Sequence, residues 1–167
     1  MDIAIRNSFL VRTLVVLVAA IAPFIYMQYR TDEISISEFW GTHLEPLFIF
    51  TNAATSYFFF STEKWKPSAI LLLLLTAFSV EKFPLAHNIF AAAFFLYSFI
   101  PLVTDKRLSI YSAVYISSLV FISWPNIFLA ETIGILTLCT FHLHTLILKW
   151  KAVKKRHSLH IKNHKQI

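Results

Sequence analysis

The chain has 167 residues, of which 57% are hydrophobic and 14% are charged, whereas a soluble domain carries about 25% charged residues. This composition excludes an ordinary soluble domain, and the length leaves room for one membrane domain. A net charge of +6 is compatible with nucleic-acid binding. In so apolar a chain we assign it instead to Lys and Arg at the cytoplasmic membrane face, and we expect no nucleic-acid partner.

Six apolar segments predict six membrane-spanning helices. The first continues past residues 18–22, which resemble a signal-peptide cleavage site, so we expect it to remain as a span. Pro46 lies in the first turn of the second, where a missing N–H costs little. The third is shorter than the ~20 residues that cross a bilayer, so it must stand upright or lie in thinned membrane. The predicted spans cover residues 9–27, 45–60, 67–80, 86–103, 108–123 and 127–148.

The polar connections differ in length and charge. The longest covers residues 30–44, and a short turn at residues 124–126 precedes the last span. Residues 149–167 form a basic tail in which His157, His160 and His164 would share one face of a helix. Such a face would attract a metal or anionic head groups. The alternative is a frayed tail whose positive charge sets the topology.

The basic residues predict the orientation in the membrane. Six spans place both termini on one side, and thirteen of the fifteen Lys and Arg residues lie on that side. Arg30 and Lys82 are the two on the other side. Because positive charge in short loops marks the cytoplasmic side, the sequence predicts an all-α, polytopic six-helix bundle with both termini in the cytoplasm. The short loops are typical of a bacterial inner-membrane protein.

Acidic residues collect at the opposite, outer face. An ionisable group at the membrane boundary is costly and needs a partner or a function. The fourth span begins with a histidine and an asparagine, and the second and sixth spans each carry a glutamate near their outer ends. We expect these groups to meet at the outer mouth of the bundle, in a site formed by Glu38, Glu45, His87, Asn88 and Glu131.

Four interpretations of this outer site are open. It could bind Zn²⁺ and activate water, relay protons, hold a lipid head group, or be a structural hydrogen-bond cluster paired with Lys82 or Arg30. The site has one histidine, which is fewer than a zinc site usually uses, and no HExxH spacing occurs. We therefore predict no metal site and no cofactor. Only two glycines occur in the chain, which excludes a glycine-rich phosphate loop.

Helical spacing also places polar groups inside the predicted bundle. Glu45, Asn52 and Ser56 share one face of the second span, which should point into the bundle because lipid offers no hydrogen-bond partner. His142 aligns with Glu131 but lies roughly 16 Å further along the sixth span, in the cytoplasmic half. His144 faces another way, so the two histidines make a poor metal pair.

Several motifs together resemble one known family. Residues 34–41 (Ile-Ser-Ile-Ser-Glu-Phe-Trp-Gly) and 45–48 (Glu-Pro-Leu-Phe) look like the outer loop of the DRAM-type family. Residues 86–94 are similar to its His-x-x-x-Ala-x-x-Phe motif, and residues 130–131 resemble its Ala-Glu near the start of the last span. The match covers most of the chain in order, including six spans with cytoplasmic ends. The family groups damage-regulated autophagy modulators with relatives involved in GPI-anchor lipid remodelling and phosphoinositide control, so the resemblance implies lipid-linked work in the membrane.

These observations lead to one preferred function and two alternatives. The preferred one is an integral membrane protein that recognises or handles a membrane lipid through the outer-face site. The alternatives are an intramembrane metal-dependent hydrolase acting on a lipid, and a small oligomeric transporter or pore-forming effector. Membrane lipids are the expected partners, with a homo-oligomer or another membrane protein as further possibilities. The sequence does not decide whether the protein is an enzyme.

Cysteine labelling in intact cells tests the predicted orientation. In a Cys139→Ala background, Ser37→Cys and Asn126→Cys should react with an impermeant thiol reagent from outside, and Ser158→Cys should not, because basic loops stay in the cytoplasm. Labelling of position 158 from outside would contradict the assignment of every candidate site residue to the outer face.

Overall fold

The structure, a computed structural model, describes residues 3–29, 35–120 and 127–164. Within these ranges the protein is all α-helical, with short 3-10 turns and no strand. The predicted all-α class is therefore confirmed. Arg30 and the predicted turn at residues 124–126 lie outside the described residues. The helices are α1 (Ile3–Tyr29), α2 (Glu45–Phe60), α3 (Lys66–Ala77), α4 (Pro84–Thr104), α5 (Ser109–Val120) and α6 (Ile127–His164).

Proline marks the start of three of these helices. Pro46 and Pro67 are the second residues of α2 and α3, and Pro84 is the first residue of α4. Proline suits these positions because the first N–H groups of a helix have no partner within it. α3 ends where Phe78 adopts an extended backbone, which turns the chain toward α4.

The helices close into a ring. Each helix packs against the next one in sequence, and α6 packs against α1. The main core lies inside this ring and includes Trp65, Phe94, Leu102 and Tyr115. A smaller core at one end joins α1, α2 and α6 through a 3-10 turn, Ile36–Phe39, which we call the capping segment. This arrangement leaves an interior space between the helices.

The outer surface is apolar on every one of the six helices described. Large exposed side chains include Leu14 on α1, Phe50 on α2 and Leu85 on α4, which are 62%, 61% and 74% exposed. Soluble monomers rarely expose contiguous apolar surface on this scale. Three helical stretches are long and apolar enough to cross a membrane: Asn7–Tyr29, Pro84–Thr104 and Ile127–Arg156. These features indicate a membrane protein.

α1, α3 and α6 differ from their predicted extents, and α1 begins at Ile3 instead of residue 9. α3 has 12 residues, so it is about 18 Å long, well short of the ~30 Å hydrocarbon core. α6 does not stop at residue 148 but continues to His164. It continues because residues 149–164 contain no Pro or Gly and are rich in Lys and Arg, which favour helix and interact well with a helix C-terminus.

Part of the predicted interior face of α2 is confirmed. Ser56 is fully buried and Asn52 lines the interior cavity described below. One predicted labelling position changes, because Ser37 is 8% exposed and a cysteine there would react poorly. Lys82, exposed in the turn between α3 and α4, replaces it.

Gly134 permits close packing of three helices. A Cβ atom at this position would lie 3.1 Å from Cε1 of Phe95 on α4 and 3.6 Å from Oγ of Ser118 on α5. Gly134→Val should therefore lower the free energy of unfolding by about 1–3 kcal/mol, since overpacking forces backbone shifts. Melting in detergent measures the change, with Ala53→Val on the exposed face of α2 as control. Equal melting temperatures for Gly134→Val and Ala53→Val would contradict this tight packing.

Candidate functional site

A cavity of about 90 Å³ lies inside the helix ring. Its walls come from α1, α2, α3, α4, α6 and the capping segment, and most of the lining side chains are apolar. Glu131 and His142 both line it, so the cavity extends roughly 16 Å along α6. Its polar lining residues are Tyr26, Ser37, Thr51, Asn52, Thr55, Glu131 and His142.

Glu131 ties the capping segment to α6. Its Oε2 atom accepts a hydrogen bond of 2.6 Å from the backbone N–H of Ile36, the first residue of the capping segment. Phe39 anchors the other end of this segment, stacked on Tyr26 at 4.8 Å and edge-on to Phe128 at 6.5 Å between ring centroids. The capping segment therefore covers one end of the cavity, and the carboxylate of Glu131 lies at that end.

Glu38 adds a second carboxylate to this end. It is half-buried on the capping segment, and its charge acts on Glu131. The two carboxyl groups both offer oxygen atoms that accept hydrogen bonds. This end of the cavity is therefore richer in acceptor oxygens than its apolar middle.

His87 has a defined structural contact. Its Nδ1 atom lies 2.6 Å from the carbonyl oxygen of Phe78, and because a carbonyl only accepts, Nδ1 donates this hydrogen bond. Phe78 follows the last residue of α3, so the bond ties the end of α3 to the first turn of α4. The ring is 1% exposed. These contacts favour the structural interpretation that the sequence left open for His87.

The five predicted site residues divide into two sets. Glu131 lines the cavity, and Glu38 interacts electrostatically with it. Glu45, His87 and Asn88 are not among the described residues that line the cavity, and Asn88 is exposed. The convergence of all five at one outer site stays a prediction.

His142 occupies the far end of the cavity. It is 7% exposed and packs among aromatic rings, with centroid distances of 4.4 Å to Trp65, 4.8 Å to Phe59 and 5.1 Å to Phe58. His144 points elsewhere, with its Nδ1 atom 3.1 Å from the hydroxyl of Tyr111. The two histidines therefore have separate surroundings, as their spacing on a helix predicts. Across the described side chains, no group of three or more His, Cys, Asp or Glu could hold a metal ion.

Sequence reasoning missed part of the cavity lining. Thr51 and Thr55 flank the predicted Asn52–Ser56 face and both line the cavity. Their spacing of four residues was a usable signal, because it places both on one helix face. Tyr26 carried no such signal, because nothing in its sequence surroundings separates an interior tyrosine from an interfacial one.

Comparisons of the chain with models of protein families, with curated proteins and with solved structures find no match.

His87→Ala should lower the free energy of unfolding by about 1–3 kcal/mol, because the carbonyl of Phe78 loses its partner. Melting in detergent measures the effect, with Asn88→Ala at the exposed neighbouring position as control. A variant that melts like the wild type would contradict the structural role of His87.

Proposed function

We propose that this protein is a six-span membrane protein that holds a membrane lipid inside its helix ring. The apolar part of the lipid occupies the interior cavity, and its polar head lies at the end closed by the capping segment. One observation carries the proposal: an elongated, mostly apolar interior cavity ends on a carboxylate that is already positioned by a hydrogen bond. Ligand sites in proteins are typically apolar pockets with a few placed polar groups.

The arrangement of the helices supports a bundle with all six helices in the membrane. Apolar side chains face outward on α2, α3 and α5 as well as on the three long helices, so the short helices also present a surface suited to lipid. Phe9 near the start of α1 stacks on Trp150 of α6 at 4.6 Å. This contact brings the first and last helices together at one end, in agreement with two cytoplasmic termini.

The chemistry of the closed end favours a particular kind of head group. The carboxyl oxygens of Glu131 and Glu38 accept hydrogen bonds, so this end favours a head with amine or hydroxyl donors. The resemblance to the DRAM-type family, which implies lipid-linked work, agrees with this assignment.

Filling the cavity should expel the lipid. Ala19 lines the cavity and is 9% exposed, so Ala19→Phe places a ring in the space assigned to the lipid. Mass spectrometry of the protein purified in mild detergent should find a defined lipid on the wild type and at least about tenfold less on this variant. Ala92→Phe, on the exposed face of α4, is the matched control and should keep the lipid.

Two further variants separate binding from folding. Thr55→Phe fills the same cavity from α2 and repeats the test if Ala19→Phe unfolds. Glu131→Gln keeps an oxygen that can accept the bond from Ile36 but removes the charge, so it should change the class of lipid retained more than the melting temperature. Undiminished lipid on a folded cavity-filled variant would overturn the proposal.

A further inference from the structure

A second, smaller cavity lies on the opposite side of His142 from Glu131. Its volume is about 40 Å³, and His142 and Phe58 line both cavities. A water molecule needs a cavity of about 10–15 Å³ on this kind of measure, so the space suits a group of several heavy atoms. Its lining residues are Arg12, Phe58, Thr62, Trp65, Phe141, His142, Thr145, Leu146 and Lys149.

The charge of this second cavity is positive. Arg12 on α1 and Lys149 on α6 both line it, and no lining residue is acidic. Neither cation forms a salt bridge with another of the described residues. Glu63 directly follows the lining residue Thr62 in sequence, but it pairs with Lys66 instead. The two cations therefore converge on one small space without a carboxylate to neutralise them there.

The same cavity holds two buried polar groups without partners. The Nε2 atom of His142 and the Oγ1 atom of Thr145 are both buried and make no hydrogen bond within the described part of the chain. Burying a polar group without a partner costs free energy, and such a group in a native protein calls for an explanation. A ligand with several acceptor oxygens would satisfy both.

The position of Arg12 is also constrained. Its guanidinium carbon lies 5.8 Å from the centroid of the Phe58 ring, a cation–π contact that restricts the side chain. Arginine held in this way offers its donors to an oxyanion with less loss of freedom, and guanidinium matches the geometry of phosphate.

We propose that Arg12, Lys149, His142 and Thr145 form a binding site for a phosphate group. The charges of Arg12 and Lys149 and the unpaired polar atoms of His142 and Thr145 all line the second cavity, which is large enough for a phosphate group. The sequence excludes a glycine-rich phosphate loop, and this site is built from helix side chains instead. It does not depend on the lipid at the Glu131 end, because only His142 among its four ligating residues lines both cavities.

The location indicates which phosphate is available. Arg12 lies in the first turn of the predicted first span and Lys149 directly follows the sixth, so both lie near the predicted cytoplasmic boundary. The cytoplasmic leaflet is enriched in anionic phospholipids, which attract basic side chains. A lipid phosphate and a soluble phosphate share the same chemistry, and the experiment must separate these two sources.

The test measures thermal stabilisation of the full chain in a non-ionic detergent. Three probes are titrated: short-chain phosphatidic acid, inorganic phosphate, and short-chain diacylglycerol, which has no phosphate. Ligands that bind the native state raise its melting temperature. Phosphatidic acid should raise the melting temperature of the wild type, and diacylglycerol should not. An equal rise with inorganic phosphate at the same concentration would identify a soluble anion as the source.

Variants decide whether the named residues bind the phosphate. Arg12→Gln and Lys149→Gln should each weaken the apparent affinity by roughly tenfold or more, because each removes a charge-assisted hydrogen bond. Lys151→Gln is the matched control, since Lys151 is an exposed cation on the same helix that does not line the cavity. Arg12→Lys keeps the charge without the guanidinium geometry and should give an intermediate affinity if Arg12→Gln fails to fold.

Two results would overturn the proposal. One is the absence of any shift with both phosphate probes. The other is an equal loss of affinity in Lys151→Gln and Lys149→Gln, which would show general attraction to a basic surface and no specific site.

Discussion

The hydrogen bond from the backbone of Ile36 to Glu131 is the contact on which the candidate site depends. It joins residues 95 positions apart in sequence and brings the capping segment onto the start of α6. The Phe39 ring then packs against Tyr26 and Phe128 and completes the smaller core. Without this bond, the half-buried carboxylate of Glu131 would lose its hydrogen bond to the capping segment while it still lay beside Glu38, which is a costly arrangement in an apolar setting. The closed end of the cavity and the position of its carboxylate therefore have one cause.

The interior combines two opposite chemistries in one helix ring. Carboxylates lie at the end near the capping segment, and cations lie beyond His142 at the other end. His142 lies between these regions, surrounded by aromatic rings. This separation follows from α6, which carries Glu131, His142 and Lys149 along one continuous helix. The two ends of the interior therefore differ in the charge of their side chains, and the stretch between them is mostly apolar.

Much of the architecture was predictable because it depends on local rules. Composition predicts a membrane protein, and the first-turn proline of α2 marks a helix that matches the predicted range of 45–60. Helical spacing places Asn52 and Ser56 on the inward face and assigns His142 and His144 to different surroundings. Each of these predictions needs only the geometry of a single helix.

The sequence by itself determined the helical class, the apolar exterior, and the face and depth of residues along each helix. Only the tertiary structure decided which residues from different helices meet. Helical periodicity specifies a direction but not the neighbour found there, so nothing local predicts that His87 binds the carbonyl of Phe78. The partner of Glu131 is likewise a backbone N–H, a group that every residue except proline carries and that no sequence pattern singles out. The cavities depend on how closely neighbouring helices approach, and that distance is set by side-chain packing across the whole ring.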